Sequence, residues 1–340
     1  RGRHGRDIGA HRMIPARRSF SMTIARLAAA FGLCALIGAC AVAPPDPPDA
    51  IPMVAPGVIP AIPAVRTPSY ESKSARKYYT RVEKEQIARG LMRVDGGGPD
   101  VPYDADDLSR NFERVALFNE YTQIGGRFVA AQTEAQLRRW EGPVRIALHF
   151  GPSLPEAQQA RDKALIQKYI KRLARVTGHS ITLVSNPKRA NYHVFVVSVD
   201  EQRNLGPLIK AVEPKLGTAT IKEMTSLTRN NFCAVYASST RAAPYVYSSA
   251  IALIRTEHPD LMRDACYHEE IAQGLGLAND SPKARPSIFN DDEEFAFLTT
   301  HDERLLSILY DPRLRPGMTP DQARPIVARL ASERAASGSI

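Results

Sequence analysis

The residues best equipped for chemistry stand together in the last third of the chain. After Pro259 the sequence reads Asp260-Leu-Met-Arg-Asp-Ala-Cys-Tyr-His-Glu-Glu-Ile-Ala-Gln273, then Gly274-Leu-Gly276-Leu-Ala-Asn279-Asp280. Steps of 100° per residue place Met262, Cys266, Glu269, Gln273 and Gly276 in one stripe about 80° wide. A carboxylate and a carboxamide, one turn apart, therefore fall in the middle of a face that otherwise reads as core. An unpaired buried carboxylate costs several kcal/mol, so Glu269 calls for a proton, a cationic partner or an opening onto a cleft. A structural ion pair with Arg255 or Arg285, with Gln273 as a satisfied core amide, is the plainer reading of the same spacing. Glu270 lies about 100° round from Glu269. His268 points the other way with no second His at i+4, which suits a surface or second-layer position.

The elements that must position this helix are legible on either side of it. Val144–Phe150 alternates like a strand, and Ser153-Leu-Pro-Glu156 reads as a capping box for a helix burying Leu165, Ile166, Tyr169, Ile170 and Leu173 and ending near Gly178. Strands follow over 180–184 and 192–199, then a looser helical piece, then strands over 232–236 and 245–254. The order strand, helix, strands, helix predicts an α+β or α/β layer domain with a mixed sheet, spanning 143–318. Residues 69–142 read as a helical and hairpin preface packing on it, through Trp140 among others. In this preface Asp106-Asp107 opens a helix presenting Leu108, Phe112, Val115 and Phe118, and Gly125-Gly126 marks a tight turn. Thr300-x-x-Glu303 and Thr319-x-x-Gln322 read as capping boxes of a helical C-terminal subdomain, with a final helix and tail over 319–340. The acidic run 291–294 reads as a solvated loop.

Charge and leader bound the function. Of the formal charge of +9, +6 belongs to residues 1–39, which carry seven Arg and one Asp. The remaining chain is close to neutral, so it has no footprint for a phosphate backbone, and nucleic acid is excluded as a partner. Basic residues precede thirteen apolar or small ones, Leu27 to Ala39. At ~1.5 Å per residue this is too short for a ~30 Å hydrocarbon core and reads as a signal peptide. Met13 or Met22 is the expected start, with an upstream extension before it. Ile37-Gly38-Ala39-Cys40 resembles the bacterial lipobox, which implies acylation of Cys40 and a membrane anchor, with Ala41 in place of Asp implying the outer membrane facing the periplasm. Residues 41–68 are about one-third Pro and read as an extended spacer, completing a linker from Cys40 to residue 68. Cys233 and Cys266 then share an oxidising compartment; a disulfide between them and two separately buried thiols are both open.

The string from Glu269 to Asp280 resembles the zincin metalloprotease helix. Glu270 matches the general base and Gly276 the turn glycine. Glu269 and Gln273 occupy the positions of the two His ligands, Asn279 stands at the third with Asp280 beside it, and Phe289 of Ser287-Ile-Phe-Asn290 takes the place of the Met-turn Met. The tract from Cys266 to Met318 is similar to the bacterial lipoprotein family known as domain of unknown function 2927, through the EExxQxLG helix, the Asn-Asp pair, the Ser-Ile-Phe turn and Leu309-Tyr-Asp-Pro-x-Leu-x-Pro-Gly-Met318. The resemblance implies a zincin-like fold without the His ligands, in which Glu269, Gln273 and Asp280 offer only oxygen. Such a trio suits a hard divalent cation, or none, better than zinc. The function it implies is a cell-envelope module that binds peptides or envelope proteins or scaffolds them; the alternative is an atypical hydrolase with Glu270 as base.

Overall fold

The computed structural model describes residues 59–336 apart from 125, 126 and 291, with the backbone alone over 120–132. The leader, Cys40, most of the Pro-rich spacer and the Gly125-Gly126 turn lie outside the described residues. The first helix, α1 (Tyr70–Ala88), is not evident from apolar periodicity because only Ser72, Ala75 and Tyr79 of its nineteen residues are buried. Helix α2 (Ala105–Ala116) begins at a capping box of Asp104 and Asp107 and buries Leu108, Phe112 and Val115. Phe118 does not continue that face: it opens strand β1 (Phe118–Ile124), which pairs antiparallel with β2 (Arg127–Glu134).

The main sheet contains β3 (Val144–Phe150), β4 (Ile181–Leu183), β5 (Tyr192–Val197), β6 (Cys233–Thr240) and β7 (Ala243–Arg255), in the order β4-β3-β5-β7-β6. Pairing is parallel from β4 through β7, and β6 runs antiparallel along one edge. Every residue of β5 is buried, as expected for a central strand covered on both faces. Helix α3 (Glu156–Thr177) provides the β3-to-β4 crossover and ends at Gly178 with φ +65°, a left-handed cap. Its expected capping box does not form: Ser153 turns its amide and hydroxyl to the buried carboxylate of Glu201, both at 2.7 Å. Pro155 is left at the N-cap without a side-chain bond.

The looser piece resolves into three short helices, α4 (Val199–Gln202), α5 (Gly206–Val212) and α6 (Thr218–Met224). Leu205, Leu208, Ile209 and Met224 pack on Phe195, Val197, Ile251 and Leu253 of one sheet face. The other face, with Ile146, Val194, Val196, Ala252 and Ile254, receives α3 and α7 (Asp260–Gln273). Its cluster continues without interruption into α2, α8 (Thr300–Leu309) and α9 (Pro320–Ala336). The preface and the C-terminal helices thus share one core with the sheet. Each fully buried Leu, Ile or Val in it contributes about 1.5–3 kcal/mol. The cap of α8 is one residue earlier than expected, Thr299 with Asp302, whereas Thr319 and Gln322 cap each other as expected. The fold class is α+β.

Candidate functional site

Helix α7 follows β7 directly and is held from three sides. Toward α3, Asp162 is fully buried and accepts from Arg263 Nε at 2.7 Å, Tyr267 Oη at 2.8 Å and Arg161 Nη1 at 2.8 Å. Burial alone raises the Asp162 pKa, but the hydrogen bond and charge of Arg263, with Tyr267 and Arg161, outweigh it and hold the carboxyl below its ordinary range. Toward β6, a disulfide joins Cys266 to Cys233. At its C-terminal end, four ring donors take up carbonyls that the helix leaves exposed or only partly satisfied. Tyr169 donates to His268 O at 2.7 Å, Tyr192 to Glu270 O at 2.6 Å, Trp140 Nε1 to Gly274 O at 2.8 Å and Tyr310 to Leu275 O at 2.9 Å. This clasp needs close approach: Gly276 has φ +130°, and a Cβ there would stand 2.4 Å from Arg138 O.

The acidic residues sit where α7 meets the edge strand. Glu269 is half-buried, while Glu270 is only 4 % exposed and Gln273 8 %. The stripe expected from spacing therefore holds for Gln273 but ranks the two glutamates in the wrong order. Eleven of the fourteen residues of α7 are buried, so the helix has no solvated face against which a single stripe stands out. Carboxylate oxygens of Glu269 and Glu270 and Cys233 Sγ all lie within 4.8 Å of one another. Gln273 Nε2 donates to Asp280 Oδ1 at 2.7 Å. The four oxygen-bearing residues are thus gathered as two pairs, Glu269 with Glu270 and Gln273 with Asp280.

Neighbouring expectations resolve in several ways. Asn279 is structural: its side chain donates to Arg114 O at 2.7 Å and its amide to Val115 O at 3.1 Å, at the end of α2. Phe289 is fully buried, in a turn fixed by Ser287 Oγ and Ile288 N on the two oxygens of Asp302, at 2.6 and 3.0 Å. His268 is a core residue and not a surface one. It is stacked between Tyr169 and Phe297, its Nδ1 accepts from Leu298 N–H at 3.1 Å, and burial drives its pKa down to about 3. Neither Arg255 nor Arg285 serves as the partner suggested for Glu269. Arg255 is spent on Gln202 and the carbonyls of Leu227 and Thr228, and Arg285 on Glu294. Glu294 is consequently buried in an ion pair and is not part of a solvated loop.

The donors do not fit a zinc centre. Zinc prefers imidazole and thiolate, and the only group of three or more His, Cys, Asp or Glu donors within reach of one ion, among the described residues, is Cys233 with Glu269 and Glu270. Cys233 is in a disulfide and is not a thiolate, and its 3.9 Å approach to Glu269 Oε2 is a contact without a hydrogen to share. Carboxylate and amide oxygens remain, the set that hard cations use. The clasp of Tyr169, Tyr192, Trp140 and Tyr310 is what spacing did not disclose. Its only signal is the apolar body and polar tip that buried Tyr and Trp must satisfy.

A mixed sheet whose antiparallel edge strand is cross-linked to an acidic Glu-Glu-x-x-Gln helix defines an α+β domain of one architecture from α2 into α9. The chain belongs to the family described as Protein of unknown function (DUF2927), whose model matches residues 105–329. No curated protein and no solved structure matches it.

Proposed function

We propose that the protein is a lipid-anchored protein of the bacterial cell envelope, carried by Cys40, whose domain binds an extended peptide or protein segment along β6 beside Glu269 and Glu270. The observation that carries the reading is the contrast between the sheet's two edges. β4 is three residues long, too short to recruit another strand. β6 presents eight residues, Cys-Ala-Val-Tyr-Ala-Ser-Ser-Thr, with no charge, no Pro, a regular register from Cys233 to Ser238 before it bulges at Ser239 and, among the described residues, no strand on its outer side. Natural edges of that length are blunted by Lys, Pro or a covering element unless a partner strand belongs there. The disulfide supports export, since such bonds persist in oxidising compartments. The order of strands and helices before α7 supports zincin ancestry, and a donor set of carboxylate and amide oxygens favours binding over zinc-dependent hydrolysis.

Photocrosslinkers placed at Val235, Ala237 or Ser239 in producing cells should trap partners as discrete adducts. The same groups at Ser180 or Val184, flanking β4, should trap none. Equal adducts from both edges, or none from β6, overturn the reading. Acylation is tested separately: intact mass should show acyl chains on wild type and none on Cys40→Ala.

The proximity of Glu269 and Glu270 favours one second reading, hydrolysis with Glu270 as base and a hard cation held by Glu269, Gln273 and Asp280. It requires stoichiometric Ca²⁺ or Mg²⁺ in equilibrium dialysis and a peptidase activity abolished in Glu270→Gln. Absence of both removes it.

A further inference from the structure

Helix α1 carries a stripe of exposed cations. Lys73, Arg76, Lys77, Arg81 and Lys84 are all exposed, and steps of 100° place them within about 140° of one another. Tyr70 falls on the same side at the start of the helix and is 87 % exposed; Ile87, near its end, is 50 % exposed. Among the described residues only Arg81 of the five cations has an ion-pair partner, Glu85 at 3.7 Å on the surface.

The opposite side of α1 is firmly docked. Ser72 Oγ donates to Glu257 Oε1 at 2.6 Å, Tyr79 Oη to Arg229 O at 2.9 Å, and Glu83 accepts from Met262 N–H at 2.9 Å. The cationic stripe is therefore displayed in one fixed orientation relative to the domain.

We infer that this stripe is a docking surface for anionic phospholipid headgroups, which seats the domain on the bilayer that holds its lipid anchor. The inference deepens the anchoring proposal and rests on it for the membrane being near. Twenty-nine residues separate Cys40 from Tyr70. A Pro-rich tether of that length extends up to about 90 Å and leaves the domain's orientation open. A second contact is what fixes a singly anchored domain on a surface. A broad helix face of cations with an exposed Tyr at one end and an Ile near the other suits a headgroup layer: phosphates meet the charges while the ring and alkyl stems sit at the interface. Nucleic acid is a poorer match because the chain beyond its leader is close to neutral. Each cation near an anionic leaflet is worth roughly fivefold in affinity.

The test uses the mature protein reconstituted in phosphatidylcholine vesicles with and without phosphatidylglycerol, with lysine acylation read by mass spectrometry. Lys73, Lys77 and Lys84 should be protected about fivefold or more on the anionic vesicles, with Lys188 and Lys210 unchanged, and high salt should remove the protection. Lys77→Gln with Lys84→Gln should weaken docking roughly 25-fold and abolish protection of Lys73. Equal labelling on both vesicle types, or protection that salt leaves intact, overturns the inference. An intact mass without acyl chains defeats the anchoring proposal alone; vesicles added to the unanchored chain then still decide the stripe.

Discussion

The two sides of α7 carry ionisable groups in opposite ways. On the side facing α3, Arg263 and Asp162 are deeply buried and bound to each other at 2.7 Å, with Tyr267 completing the network. On the side facing β6, Glu269 is half-buried at an edge strand, within 4.8 Å of a second carboxylate. Charge on the first side fixes the helix; charge on the second lies half-buried where the helix meets the edge strand. A buried polar residue is thus no guide to function until its partners are counted.

Mutation should separate the two sides by the size of the stability change. Arg263→Ala leaves Asp162 buried without its main partner and should cost about 3–5 kcal/mol in urea denaturation. Replacing Cys233 and Cys266 together by Ala opens a link spanning 33 residues and should cost about 3–4 kcal/mol. Partner trapping at β6 should fall as well, because the edge strand loses its tie to the helix.

Acid should act on buried imidazoles, one on that fixed side and one on the opposite face of the sheet. His268, held near 3, and His193, held near 4 by burial, are neutral in the folded protein and titrate near 6.5 when unfolded. The folded pKa values are depressed, so the unfolded state binds the protons. The stabilisation is fully present above pH 6.5 and is lost as pH falls toward 4, at about 1.4 kcal/mol per pH unit for each group. Unfolding free energies measured at pH 7 and pH 5 should show the decline, and His268→Phe should reduce its slope; a flat profile would contradict the buried neutral imidazoles. The smallest stability effect belongs to Glu269→Gln, within about 0.5 kcal/mol, yet it should reduce trapping at β6. If it destabilises as much as Arg263→Ala, the division between the two sides is wrong.

Much of the architecture could be read from pattern alone. β3 spans the Val144–Phe150 expected from its pattern, although its burial does not alternate strictly, and α7 starts after Pro259 as its spacing requires. Expectations failed where a distant residue outcompeted a local one. Ser153 has a suitable acceptor at Glu156, yet Glu201 offers a buried carboxylate that also needs Ser198 N–H and cannot be left unsatisfied. α1 is not legible in the pattern because a helix docked by a few polar bonds has almost no apolar stripe. At the candidate site, the segment and its residue types were legible, but the relative burial of Glu269 and Glu270 was not. A helical wheel assumes one wet face, and α7 is covered by α3 on one side and by the sheet on another.

The clasp at the end of α7 has a practical consequence. Trp140 is the only tryptophan in the chain, is almost fully buried, and bonds Gly274 one residue beyond Gln273. Its fluorescence is therefore a native reporter on the last turn of the acidic helix. A ligand or substitution that loosens that turn should shift the emission to longer wavelength without any added dye.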